Sequence, residues 1–145
     1  MKNYLITSLL FLTLGFSQKE YNYNDFIKMD NGLWTVKFSD EPITGKVYGY
    51  FGEVGNPKKV WMGKVLNGKK EGKWVSYYHS TGRKKYEENY KDGEYDGKWT
   101  DWYENGQKKI ELYIKYTETI FRKEWNEDGS RKEKKGWNED GSRKE

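Results

Sequence analysis

Residues 97–115 read GKWTDWYENGQKKIELYIK, and residues 72–93 read GKWVSYYHSTGRKKYEENYKDG. Laid over one another, Trp74 meets Trp99, Tyr77 and Tyr78 meet Trp102 and Tyr103, Gly82 meets Gly106 after a one-residue deletion, and Lys84-Lys85 meet Lys108-Lys109. A looser copy opens at Gly45, with Val47 and Phe51 where the later copies carry Trp and Tyr. The period is about 24 residues, the length of one supersecondary unit that cannot bury its apolar face alone and must stack on its neighbours. A fourth copy is degenerate: Trp125 and Gly129 fall in WNEDGSRKE, and the same nine letters recur from Trp137 to Glu145. Half a period is therefore itself a unit, which suggests one strand plus one turn.

Parity inside the repeat indicates strands. In its first half Val47, Gly49 and Phe51 align with Trp74, Ser76 and Tyr78 and with Trp99, Asp101 and Tyr103. In its second half Trp61, Gly63 and Val65 align with Tyr86, Glu88 and Tyr90 and with Ile110, Leu112 and Ile114. All are spaced by two, and side chains at that spacing share one face of a strand. Asp92-Gly93 and Asn105-Gly106 are dipeptides that enter tight hairpin turns with least strain. The expectation is an all-β chain, an elongated antiparallel β-hairpin repeat array (a meander) of seven or eight strands, preceded by an N-terminal signal helix. Val75, Tyr77 and Trp102 fall on the face opposite the main stripe. Tyr77, Trp102 and Tyr50 are the candidate ligand or partner surface. Leu33 to Phe38 reads as one strand after the Asn31-Gly32 turn, capping the first hairpin.

The 145 residues carry 27 basic and 23 acidic side chains, no cysteine, one histidine and two prolines. Only 34% of residues are hydrophobic, but 7 Trp, 13 Tyr and 6 Phe supply large rings that build a core where they are regularly placed. Without cysteine there is no disulfide framework, thiol nucleophile or Cys-based zinc site. The stretch MKNYLITSLLFLTLGFS, one lysine and then an apolar run from Leu5 to Phe16, has the form of a secretory signal cleaved after Ser17. The apolar run is too short to span a bilayer as a helix. The expected organisation is a signal peptide at 1–17, a lead-in with one capping strand at 18–44, three hairpin repeats at 45–115, and degenerate, partly frayed half-repeats at 116–145. The mature chain is expected in the periplasm, outer envelope or extracellular space. Its charges alternate in sign, so no nucleic acid partner is expected, and membrane association has little support.

The order Gly-Lys-Trp, a Tyr or Trp pair, Asn-Gly, Lys-Lys and an alternating strand resembles the MORN-type repeat, in the bacterial variant whose members include proteins labelled YwqK-family antitoxins. GKWTDWYENGQKKIELYIK is the closest copy, and ITGKVYGYF at 43–51 resembles the opening unit of that family. The resemblance covers roughly 32–115 and more faintly 125–145. It implies a β-hairpin array and association with partners or membranes, and no shared active site.

Catalytic and metal constellations are sparse. His79 is the only histidine and lies in the loop HSTG, where a solvated turn residue is expected in place of a ligand or base. No second histidine or cysteine completes a nucleophilic triad. Glu87-Glu88, Glu94, Asp96 and Asp101 are read as solubilising acids of an edge-rich sheet rather than a glycosidase pair. NEDGS lacks the residue order of a calcium loop. No enzyme activity and no cofactor are expected. The leading reading is a non-catalytic binding or scaffolding surface for an envelope protein. Glycan or peptidoglycan binding through exposed rings, and an antitoxin or immunity role, are the alternatives.

Overall fold

The computed structural model describes residues 19–115, 118–133, 136–138 and 140–144. The expected signal helix and cleavage site at 1–17 lie outside these residues. Among those described the chain is nearly all β. Its strands are β1 (Glu20–Asn22), β2 (Phe26–Lys28), β3 (Trp34–Val36), β4 (Gly45–Phe51), β5 (Lys58–Leu66) and β6 (Lys69–Tyr77). They continue as β7 (Lys84–Lys91), β8 (Glu94–Tyr95), β9 (Gly97–Trp102), β10 (Lys108–Lys115), β11 (Glu118–Trp125) and β12 (Arg131–Lys132). One 3-10 turn spans Tyr23–Asp25.

A single sheet runs β1-β4-β5-β6-β7-β9-β10-β11-β12, with β8 also on β7, while β2 and β3 pair apart from it. The hairpins are antiparallel, as their turn dipeptides demand. Asn67-Gly68 and Asp92-Gly93 place both central residues at positive φ, 48° and 75° and then 52° and 89°. That is the turn whose twist matches the flanking strands. Three features depart from the expected meander. β1 joins β4 in parallel, Glu20 opposite Lys46. The strand expected over 33–38 is only three residues long, ends at Val36 before a turn in which Phe38 has φ 64°, and pairs with β2 instead of the first hairpin. It touches that hairpin through Trp34 N–H to the Gly68 carbonyl at 2.7 Å. Finally, the third hairpin's opening strand is cut into β8 and β9, and Gly97 beside the cut carries φ 92°.

The largest correction concerns which side Trp61 faces. Backbone pairing puts Val47 opposite Gly63 and Tyr48 opposite Trp61, so Met62 is an extra residue, a β-bulge. Met62 turns into the core at 5% exposure and Trp61 turns out at 47%. Trp61 therefore corresponds to Glu87, and Val60 corresponds to Tyr86. The second and third hairpins bulge elsewhere, at Lys85 and Lys109, each the second lysine of a Lys-Lys pair. The first lysines, Lys84 and Lys108, stay outside and bind Glu87 at 2.9 Å and Glu111 at 2.8 Å, where Lys73 and Lys98 also bind.

Consecutive hairpins are tied by the same contacts one period apart. Tyr78 donates its hydroxyl to the Trp102 carbonyl at 2.7 Å, and Tyr103 donates to the Trp125 carbonyl at 3.0 Å. Lys84 lies over the Trp102 ring and Lys108 over the Trp125 ring, both at 5.7 Å. β11 pairs with β10 from Ile110 opposite Glu124 to Lys115 opposite Glu118. The described residues of the two NEDGS copies repeat one contact: Asn126 N–H reaches the Ser130 carbonyl and Asn138 N–H the Ser142 carbonyl, each at 2.8 Å.

The core lies between the first two hairpins: Ile43, Val47, Met62, Val65, Trp74 and Tyr90, with Phe26, Trp34 and Phe51 against it. Trp74 and Gly63 explain each other. A Cβ at Gly63 would stand 2.5 Å from the Trp74 ring, so the missing side chain is the space the indole fills.

Candidate functional site

β5 and β6 pair only at Lys64–Leu66 with Lys69–Glu71, beside their turn, and then separate. Near the turn Trp74 fills the gap, its Nε1 donating to the Lys64 carbonyl at 3.0 Å. Farther along, the inward positions are the small Gly49, covered by the Phe51 ring, and Ser76, and a cleft of about 460 Å³ opens between the first two hairpins. Phe51, Met62, Trp74 and Tyr77 give it apolar walls; Lys70, Ser76, Lys85 and Glu88 give it polar groups. A concave, mostly aromatic pocket with a few converging polar groups is the usual form of a binding site.

These polar groups are unequally satisfied. Glu88 accepts from the Tyr90 hydroxyl at 3.0 Å, the Tyr95 hydroxyl at 3.4 Å and Trp99 Nε1 at 3.2 Å. Burial, reinforced by Tyr95 and Glu88, pushes the Tyr90 hydroxyl far above the usual phenol range. The Lys70 ammonium sits 4.6 Å over Trp74 and 4.8 Å over Tyr90, and touches the Tyr90 hydroxyl at 3.5 Å. Its burial holds the amine below the ordinary lysine value, with the Glu88 charge pulling the other way. Ser76 Oγ is shut away from solvent without a hydrogen-bond partner. Lys85 lies 5.6 Å from the Tyr78 ring and 5.0 Å from the Tyr86 ring, and no carboxylate stands within 4 Å of it among the described residues.

Of the three rings singled out from sequence, two meet at this cleft. Tyr50 is 42% exposed on its rim, edge-on to Tyr48 at 5.8 Å. Tyr77 is half-buried, 5.3 Å from Phe51, and burial raises its hydroxyl above the usual value. Trp102 lies away from the cleft, its ring covered by Lys84 and its carbonyl taken by Tyr78. His79 is exposed at the rim, edge-on to Phe51 at 6.2 Å, and its carbonyl accepts from Gly52 N–H at 3.0 Å. Sequence reasoning missed Lys70, Ser76 and Lys85. The signal for the last two was present: the column Gly49, Ser76, Asp101 shrinks toward the N-terminus while the Lys-Lys pair persists.

A second aromatic group, Tyr48 and Trp61 at 6.0 Å, lies on the outer face. Lys59 covers both, 4.1 Å over Tyr48 and 4.9 Å over Trp61, and is held there by Glu20 at 2.9 Å. No group of three or more His, Asp or Glu side chains among the described residues could hold a metal ion, and no described helix is long and apolar enough to cross a membrane. Comparison with protein-family models, with curated proteins and with solved structures finds no match to this chain.

Proposed function

We propose that the chain is a non-catalytic binding protein: an exported, elongated MORN-like hairpin array that holds a partner protein of the cell envelope in the cleft between its first two hairpins. The observation that carries this reading is a difference between equivalent places. At the third hairpin the inward position is filled by Asp101, 4% exposed and paired with Lys109 at 3.3 Å. At the second hairpin that position is Ser76, whose Oγ has no partner, and the cleft opens beside it; at the first it is Gly49, whose side-chain space the Phe51 ring takes. The repeat reading is supported by the contacts that recur one period apart, Tyr78 and Tyr103 above all.

A cleft of this size takes one or two anchoring side chains, and such buried anchors dominate protein interfaces while a rim excludes water. Tyr50, His79, Tyr23 and Tyr95 supply that rim. The test is affinity capture from the envelope fraction by wild type, Tyr50→Ser and Tyr77→Ser. The reading requires a protein held by wild type and lost from both variants. Capture at background, or equal capture by all three, defeats it. Glycan stacking has less support, because lysines already cover the faces of Trp102, Tyr48 and Trp61. An immunity role would be one case of the same partner-binding mode.

A further inference from the structure

The third hairpin shows what the second one lacks. In both, a bulged lysine turns inward over an equivalent tyrosine, Lys109 at 5.7 Å from Tyr103 and Lys85 at 5.6 Å from Tyr78. In both, an equivalent residue faces that lysine from the opening strand: Asp101 opposite Ile110, and Ser76 opposite Tyr86. Asp101 gives Lys109 a carboxylate and so holds its amine above the ordinary value. Ser76 gives Lys85 none, and its own Oγ has no partner. The two hairpins thus share a backbone and a cation but not the anion, and the difference falls at an open cleft.

We propose that the cleft is a carboxylate subsite: an acidic side chain of the partner protein enters it, pairs with Lys85 Nζ, and takes the part that Asp101 plays against Lys109. The proposal rests on the partner-binding reading above and adds the chemistry of the anchor. Lys70 contributes a second ammonium on the same cleft, while both oxygens of Glu88 are already held by Tyr90, Tyr95 and Trp99. The methylene groups of the entering residue rest on Phe51, Met62 and Tyr77; the Phe51 ring fills the space over Gly49, where a Cβ would stand 2.6 Å from it. A hydrogen bond to a charged group in such a site is about twice as strong as a neutral one, so the acid is favoured over its amide by about tenfold or more.

The test is an amide-resolved NMR titration of the full chain with 3-phenylpropionate and, separately, 3-phenylpropanamide. The acid is expected to bind weakly but at least about tenfold better than the amide, with shifts centred on Ser76 and Lys85. Lys85→Met is expected to erase that preference. Ser76→Asp, which restores the third hairpin's pair, is expected to lose the acid without lowering the thermal midpoint. Equal binding of acid and amide, no binding of either, or an undiminished preference in Lys85→Met overturns the proposal. Should Ser76→Asp fail to fold, Lys85→Met decides. Micromolar binding of the free acid overturns the choice of a side chain as its source. If the probe binds as expected while capture from the envelope finds nothing, the partner reading falls and the subsite stands. If capture succeeds and the probe fails, only the subsite falls.

Discussion

Gly63→Ala adds one methyl group at the tightest place in the fold. Its Cβ would meet three atoms of the Trp74 indole at 2.5, 2.6 and 2.7 Å, where carbon contacts settle near 3.5 to 4.0 Å. The ring must retreat by about 1 Å, yet it is 2% exposed and anchored through Nε1 to the carbonyl of Lys64, the residue next to Gly63. Overpacking of this kind costs about 1–3 kcal/mol, and the stiffer unfolded chain returns about 0.4–1 kcal/mol. The net expectation is a loss of about 1–2 kcal/mol, although alanine is otherwise the better residue in a strand. Urea unfolding followed by tryptophan fluorescence reads it as a lower midpoint at unchanged slope. The same change in a Trp74→Val background, where valine copies Val47 of the first hairpin, is expected to cost nearly nothing. The coupling energy from the four proteins should then reach about 1 kcal/mol or more. A Gly63→Ala protein as stable as wild type, or strict additivity with Trp74→Val, refutes the account of this contact.

The two lysines of a Lys-Lys pair should differ in worth. Lys109→Met strips the buried Asp101 of its cation and is expected to cost about 2 kcal/mol or more, whereas Lys108→Met leaves Glu111 with Lys98 and should cost under about 1 kcal/mol; denaturation midpoints of the two variants compare them. Tyr103→Phe removes the hydroxyl bonded to the Trp125 carbonyl and is expected to cost about 1 kcal/mol, with faster amide exchange in β11 than in β4. Glu87 is held below the usual carboxylate value by its Lys73 hydrogen bond, with burial opposing and Lys84 assisting. At Glu111 burial raises the value, but Lys108 and Lys98 together pull it below. Both groups therefore contribute stability above the unfolded carboxylate value near 4.5 and lose it as pH falls through the lower folded values. Glu87→Gln and Glu111→Gln should flatten the decline in urea midpoint below that pH.

How far the letters reach is shown by what the bulges do to them. Period-two spacing and the Asn-Gly and Asp-Gly pairs are local, and they correctly announce antiparallel hairpins, because turn type and pleat act within a few residues. A bulge is a disagreement of one residue between two strands, so neither strand's own pattern reveals it. Alternation therefore put Trp61 inside, where Met62 lies, and gave no sign that Lys85 and Lys109 turn inward. The parallel strand β1 was equally hidden: three residues, Glu20–Asn22, carry no readable period. Tyr50 and Tyr77 were named as candidate rings, but Lys70 and Lys85 looked like ordinary surface charge until the backbone set them against rings.

The position of the bulge also explains why the cleft has one apolar and one cationic wall. In the second and third hairpins the extra residue comes from the Lys-Lys pair, so a lysine enters the concave side. In the first hairpin the extra residue comes three positions later, after Lys58 and Lys59, so a methionine enters instead and Lys59 stays outside on Tyr48 and Trp61. Where the first and second hairpins face each other, Met62 and Lys85 thus line the same space from opposite sides, and the short Ser76 leaves part of it empty. Had the first bulge fallen at its lysines, a third cation would share that volume and repel Lys70 and Lys85. Had Ser76 been aspartate, the pair would have closed on itself, as Asp101 and Lys109 do. Between hairpins that share a pairing pattern, the cleft is therefore set by the place of one bulge and the length of one side chain.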